Sequence, residues 1–257
     1  MTMQSLTSSV IGRRVGMIVA AAVLLAGGAS LFAGDRAAAQ QTGKPQVIIP
    51  AAETRIFNGK DLSGWYTFFP SQGVNKDPEN IITVQKDGVI KVTGKEFGYF
   101  ATVNDYAYYH LTFDVRWGDK KYPPREKAVR DSGVLVHMIG PDKVWPQSFE
   151  CQVQENDFGD IFHIGGISSM VNSKRQNGRV VRSQSFEKPH GEWNTVECIV
   201  NGDAVTNIVN GQVVNVATGI TRAKNGEGGR LNYGKIAFQS EGAEVYYRNI
   251  VIRPLSP

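Results

Sequence analysis

From Arg55 to Pro254 no stretch carries the 3.6-residue period of an amphipathic helix. Short alternations of apolar and polar residues, broken by turn residues, fill it instead. In His110–Trp117, Leu111, Phe113, Val115 and Trp117 face one way and His110, Thr112, Asp114 and Arg116 the other. Asp131–Met138 alternates too, setting Val134, Val136 and Met138 against Gly133, Leu135 and His137. Phe149–Gln154 places Phe149, Cys151 and Val153 on one face and Glu150, Gln152 and Gln154 on the other. Asn194–Val200, Val205–Val209 and Gln212–Val216 read as a meander, with Asn201-Gly202 and Asn210-Gly211 where hairpin turns need positive φ. Lys235–Ser240 and Val245–Ile252 are two closing strands, split by Glu241-Gly242-Ala243. A total above ten short strands predicts an all-β fold, a two-sheet jelly-roll sandwich. The 120s and Gly165–Gly178 lack periodicity and are expected to be long loops, where function usually sits.

The first forty residues follow a different logic. Arg13-Arg14 is a positive n-region, Val15–Phe32 is uncharged and apolar, and Ala37-Ala38-Ala39-Gln40 is a small-residue cleavage site. That order predicts a secretory signal peptide over 1–39 and an exported protein, periplasmic or secreted, with no membrane attachment after cleavage. The rival is an uncleaved anchor, since the apolar run is nearly long enough to span a bilayer. Residues 40–54 read as a linker and 55–257 as one β-sandwich domain. The formal charge is +4, and the leader would take Arg13, Arg14 and Arg36 against Asp35. The small positive remainder, with no basic run, argues against a nucleic-acid partner. Export permits a bridge between the two cysteines, Cys151 and Cys198; the alternative is two buried thiols.

Glu150, Gln152 and Gln154 align a carboxylate and two amides along about 13 Å of strand, groups that can give and accept hydrogen bonds from sugar hydroxyls. The alternative is a solvated outer face. Lys143-Val144-Trp145-Pro146-Gln147 is a Pro-flanked loop whose indole could stack on a sugar ring or anchor the loop, with Lys143 beside it. His137 and His163 are candidate acids, bases or metal ligands, or else satisfied structural residues. His190 reads as part of a turn and His110 as a surface residue. No Cys-x-x-Cys, His-Glu-x-x-His, Gly-x-Ser-x-Gly or phosphate loop occurs, which argues against thiol redox work, zinc proteolysis and serine esterase chemistry.

Ile56-Phe57-Asn58-Gly59-Lys60-Asp61-Leu62-Ser63-Gly64-Trp65 resembles the opening signature of the 3-keto-disaccharide hydrolase domain family. Ser132-Gly133-Val134, Glu150-Cys151-Gln152-Val153, Gly191-Glu192-Trp193-Asn194, Val209-Asn210-Gly211, Lys235-Ile236-Ala237-Phe238-Gln239 and Tyr247-Arg248-Asn249-Ile250 continue the likeness in order. Asp131 stands where the family usually has Asn, and His163 where it often has Tyr. The resemblance implies a concanavalin-like sandwich, the broad fold of laminarinase-type glucanases, and a carbohydrate or glycoside substrate. It implies a 3-keto sugar losing its C1 group by base-assisted elimination, then taking up water. Glu150 or His137 would be the base and His163 the acid. Gln152, Gln154 and Gln239 would bind hydroxyls, and a divalent metal on His137 and Glu150 would act as electrophile. Two rivals share the fold: a non-catalytic sugar-binding module, and a glycosidase using Glu150 and Glu155, with Glu155 brought to Glu150's face by a bulge near Gln154.

Overall fold

The computed structural model describes residues 46–257. The predicted leader, and the linker up to residue 45, lie outside the described residues. Two short pieces of the rest of that linker are paired. Val47–Ile48 runs parallel to Asp105–Tyr106, and Thr54–Arg55 adds to the last strand, Ala243–Pro254.

Among the described residues there is no helix. Two antiparallel sheets make the sandwich of jelly-roll type that the alternation predicts. The eight-stranded sheet runs in the order Arg179–Val180, Ile161–Ile164, Gln147–Gln152, Gly133–Ile139, Lys235–Ser240, Gly98–Thr102, Trp65–Phe69 and Gly73–Val74. The ten-stranded sheet is centred on Tyr109–Lys121, which lies between Asn194–Asn201 and Ala243–Pro254. In that central strand Leu111, Phe113, Val115 and Trp117 are buried, while His110, Thr112, Asp114 and Arg116 are only half-buried. Each such side chain contributes about 1.5–3 kcal/mol by leaving water.

The core between the sheets is aromatic. Phe238 stacks on Phe100 at 5.0 Å and meets Tyr247 edge-on at 4.9 Å, so rings from both sheets interlock. Tyr247 keeps its hydroxyl satisfied at 2.7 Å from the Ser132 Oγ, which in turn donates to the Gln239 carbonyl. Cys151 from one sheet and Cys198 from the other are both buried and both free. A hydrogen bond to Cys198 and burial push the Cys151 thiol well above its usual range.

Three predicted features are corrected. Gly165–Gly178 is not a loop: it folds into Ser168–Val171 and Lys174–Gln176, an edge hairpin turned by Asn172 and Ser173 at φ 50° and 61°. The strand expected over Phe149–Gln154 ends at Gln152, because Gln154 opens a turn closed by the Asp157 N–H on its carbonyl. The third concerns His137. Strict alternation would set it beside Gly133 and Leu135, but both pairings of Gly133–Ile139 shift register here, and His137 takes φ 54°. This bulge returns Met138, rather than His137, to the apolar cluster of Leu135.

Candidate active site

The outer face of the eight-stranded sheet carries the candidate site. Phe149 and Cys151 enter the core, so Glu150 and Gln152 must emerge on the opposite face. The neighbouring strands present Gly133, Leu135, Ala237, Gln239 and Tyr99 there.

Gly133 is the floor. A Cβ on it would stand 1.8 Å from the Glu150 Oε1 and 2.3 Å from the Gln239 Oε1, so both side chains lean over the gap left by the missing methyl. Gln239 is buried, and no hydrogen bond of ordinary length reaches either end of its amide, although the amide lies near enough to the Glu150 carboxyl to hold its pKa down in part. An unsatisfied buried amide costs about 1–3 kcal/mol, the kind of expense that ligand binding redeems. We expect Gly133→Ala to destabilise the fold by about 1–3 kcal/mol and to displace Glu150. Chemical denaturation beside an activity assay checks this, and unchanged stability with unchanged activity would show the floor to be unimportant.

Two further carboxyls share the face. Glu241 lies two residues beyond Gln239, and Asp131 two before Gly133. An isolated bridge pairs these two positions across the sheet. Burial pushes the Glu150 pKa well above the usual carboxylate range, and the charges of Glu241 and Asp131 add to this; the neighbouring Gln239 amide pulls the other way. Glu241 is pushed up to about 7 by burial and then by Asp131, against the Trp145 hydrogen bond and the Arg125 charge. Asp131 is raised by burial, although the Arg125 guanidinium lies 2.6 Å from its Oδ2.

A loop over residues 140–146 reaches across this face and is tied at two points. Asp142 accepts hydrogen bonds from the Tyr66 and Tyr99 hydroxyls at 2.7 and 2.6 Å. The Trp145 indole N–H donates to the Glu241 Oε1 at 2.9 Å, yet half of Trp145 stays exposed. Phe97 packs edge-on against it at 6.1 Å. Lys143 is exposed on the same loop.

The other predicted residues fall elsewhere. The His137 ring is fully buried and turned toward the Gly202 carbonyl, in a hairpin of the opposite sheet. His163 pairs directly with Phe149 and therefore shares its core-facing side, away from Glu150. Both its ring nitrogens are engaged, at 2.6 Å from the Gly178 carbonyl and 2.7 Å from the Ser169 Oγ. His137 and Glu150 thus do not converge as a metal pair. Among the described residues no group of three or more His, Cys, Asp or Glu side chains is placed to hold a metal. Gln152 shares Glu150's face, but its Oε1 accepts from the backbone N–H groups of Val153 and Gln154. Gln154 donates to Asp157 in the turn. Glu155 is paired with Arg130 at 3.0 Å and His190 at 2.9 Å.

No motif in the sequence singles out Glu241, Asp131, Tyr66, Tyr99 and Asp142 as members of this face. The period-2 rule alone reaches the first two, because Gln239-x-Glu241 and Asp131-x-Gly133 each keep one face. The Gly242 that follows Glu241 gives the segment the composition of a turn and hides that face.

The model of the 3-keto-alpha-glucoside-1,2-lyase-like domain family matches residues 52–253. No curated protein matches the chain. Among solved structures, a glycosyl hydrolase candidate from Parabacteroides distasonis ATCC 8503 is similar with a TM-score of 0.56 and 22% identity, over 80% of this chain and 94% of that one. A second structure from the same organism, described in the same way, gives a TM-score of 0.53 and 21% identity, over 79% and 99%. Carbohydrate-binding module CBM66 from Bacillus subtilis gives 0.50 and 10%, over 74% and 95%. These likenesses show the fold.

Proposed function

The chain belongs to the 3-keto-alpha-glucoside-1,2-lyase-like domain family, and on that premise we propose that it cleaves 3-keto-glycosides by base-assisted elimination at the outer face of the eight-stranded sheet. One observation carries this reading: a buried carboxyl, Glu150, stands with the buried Gln239 amide over a glycine floor.

The ketone at C3 acidifies the hydrogen on C2. Glu150 takes that proton, and its desolvated carboxylate is a stronger base than one in water. Negative charge moves to the C3 oxygen, where the buried N–H of Gln239 can meet it. The charge returns as the C1–O bond breaks, and water then adds across the new double bond. The half-exposed Trp145 offers its ring to a sugar at the edge of the site.

The test is turnover by wild-type protein of a 3-keto-glucoside against the unoxidised glucoside. We expect product from the first and none from the second. Binding of the keto-sugar without turnover would favour a sugar-binding module, the reading that a half-exposed indole also fits. Faster cleavage of the plain glucoside would favour a glycosidase, although Glu155 is tied to Arg130 and His190.

A further inference from the structure

We propose that Glu241 is the catalytic acid that protonates the departing oxygen, and that Trp145 positions it while stacking against the leaving group. This rests on the reading of Glu150 as the base.

Three observations carry it. The first is placement. Glu241 follows Gln239 by two residues on one strand direction, so it stands about 7 Å along the same face, one step from the Glu150 and Gly133 floor. A base at the C2 hydrogen and an acid at the oxygen on C1 need such a short offset, because C1 and C2 are neighbours on one ring. The second is the division of labour between its two oxygens. The Oε1 is held by the Trp145 indole at 2.9 Å, while the Oε2 has no hydrogen-bond partner among the described residues. One oxygen is thus fixed and the other is free to carry a proton. The third is the double role of the indole. Its N–H is spent on Glu241, and half the side chain is exposed. A leaving sugar stacked on that ring would lie beside the free oxygen. Burial, with Asp131 near, holds Glu241 up to about 7, where a good share of it is protonated at neutral pH.

The step balances with these two residues alone. The C2 proton passes to Glu150, and the electron pair left behind forms the double bond between C1 and C2 as the C1–O bond breaks. The departing oxygen takes the proton of Glu241 and leaves as an alcohol. In the return step, the Glu241 carboxylate takes a proton from water as its oxygen bonds to C1, and Glu150 gives its proton back to C2. Both residues recover their starting states, and the net reaction is hydrolysis.

The experiment compares two leaving groups. A 3-keto disaccharide leaves as a poorly acidic alcohol and needs the acid; 4-nitrophenyl 3-keto-glucoside leaves as a stable phenolate and does not. We expect Glu241→Gln to lower kcat/KM for the disaccharide by about 10²-fold, with a change under about threefold for the aryl substrate. Trp145→Phe keeps a ring and removes the N–H. It should reproduce the selective loss at about tenfold with KM little changed, which a purely structural role for the indole would not do. An equal loss on both substrates in both variants would overturn the proposal, and so would no loss on either. Failure of wild type to turn over any keto-glycoside would remove the elimination reading itself. Aryl turnover by wild type together with full disaccharide activity in Glu241→Gln would remove only the acid.

Discussion

Glu150→Gln is expected to lower kcat on a 3-keto-glucoside by about 10²- to 10⁴-fold while leaving affinity for the sugar largely intact. The substitution keeps the size and the hydrogen-bonding reach over Gly133 but removes the group proposed to accept the C2 proton. It also has a stability consequence of opposite sign. A carboxyl whose pKa is raised in the folded state keeps its proton where the unfolded chain has lost it. Its contribution is fully present below the unfolded value, near 4.5, and is lost as pH rises through the folded one. Glu150 therefore weakens the fold at alkaline pH, and the neutral amide removes that loss. Thermal melts at pH 8 should show Glu150→Gln at least as stable as wild type, while turnover collapses. A residue kept for chemistry at the expense of stability gives this pair of results. Full activity in Glu150→Gln would place the base elsewhere. Lost activity with a lower melting temperature at pH 8 would make Glu150 a structural group instead.

The fold was legible because period-2 alternation is a local property with a global consequence. Leu111, Phe113, Val115 and Trp117 bury one face of the central strand as their spacing requires, and Asn210-Gly211 turns at φ 50° and 80° as its residue types require. The site was legible only in part. The face that Glu150 takes is legible because its strand alternates without interruption up to Gln152. His137 was misplaced because a bulge is one extra residue, and nothing in Val134–Met138 marks where the extra residue falls. The face of His163 depends on register, and only the pairing with Phe149 reveals which side of the sheet it takes. Asp142 could not be found at all. Its place between Tyr66 and Tyr99 joins positions 76 and 43 residues apart, and no local pattern records such a closure.

The buried His137 makes a prediction about acid. Its ring is fully enclosed, and burial holds its pKa down to about 4, with the Gly202 carbonyl opposing only in part. Between pH 6.5 and pH 4 the unfolded chain binds a proton at this residue that the folded chain refuses. By linkage, the stability present above pH 6.5 is lost as pH falls through that window, and the loss from this group amounts to about 3 kcal/mol. The carboxyls on the outer face act in the opposite sense, since Glu150, Glu241 and Asp131 are all raised and so favour the fold as pH falls. The histidine contribution must therefore be isolated by difference. His137→Asn removes the titrating ring and supplies a residue type suited to φ 54°. Urea unfolding of both proteins at pH 7.5, 6, 5 and 4 should show wild type losing about 3 kcal/mol relative to the variant across the series, most of it below pH 6. Whatever constant offset the substitution introduces cancels in that slope. Parallel pH profiles for the two proteins would mean that His137 takes up its proton inside the fold as readily as outside it, and that an internal partner satisfies the ring.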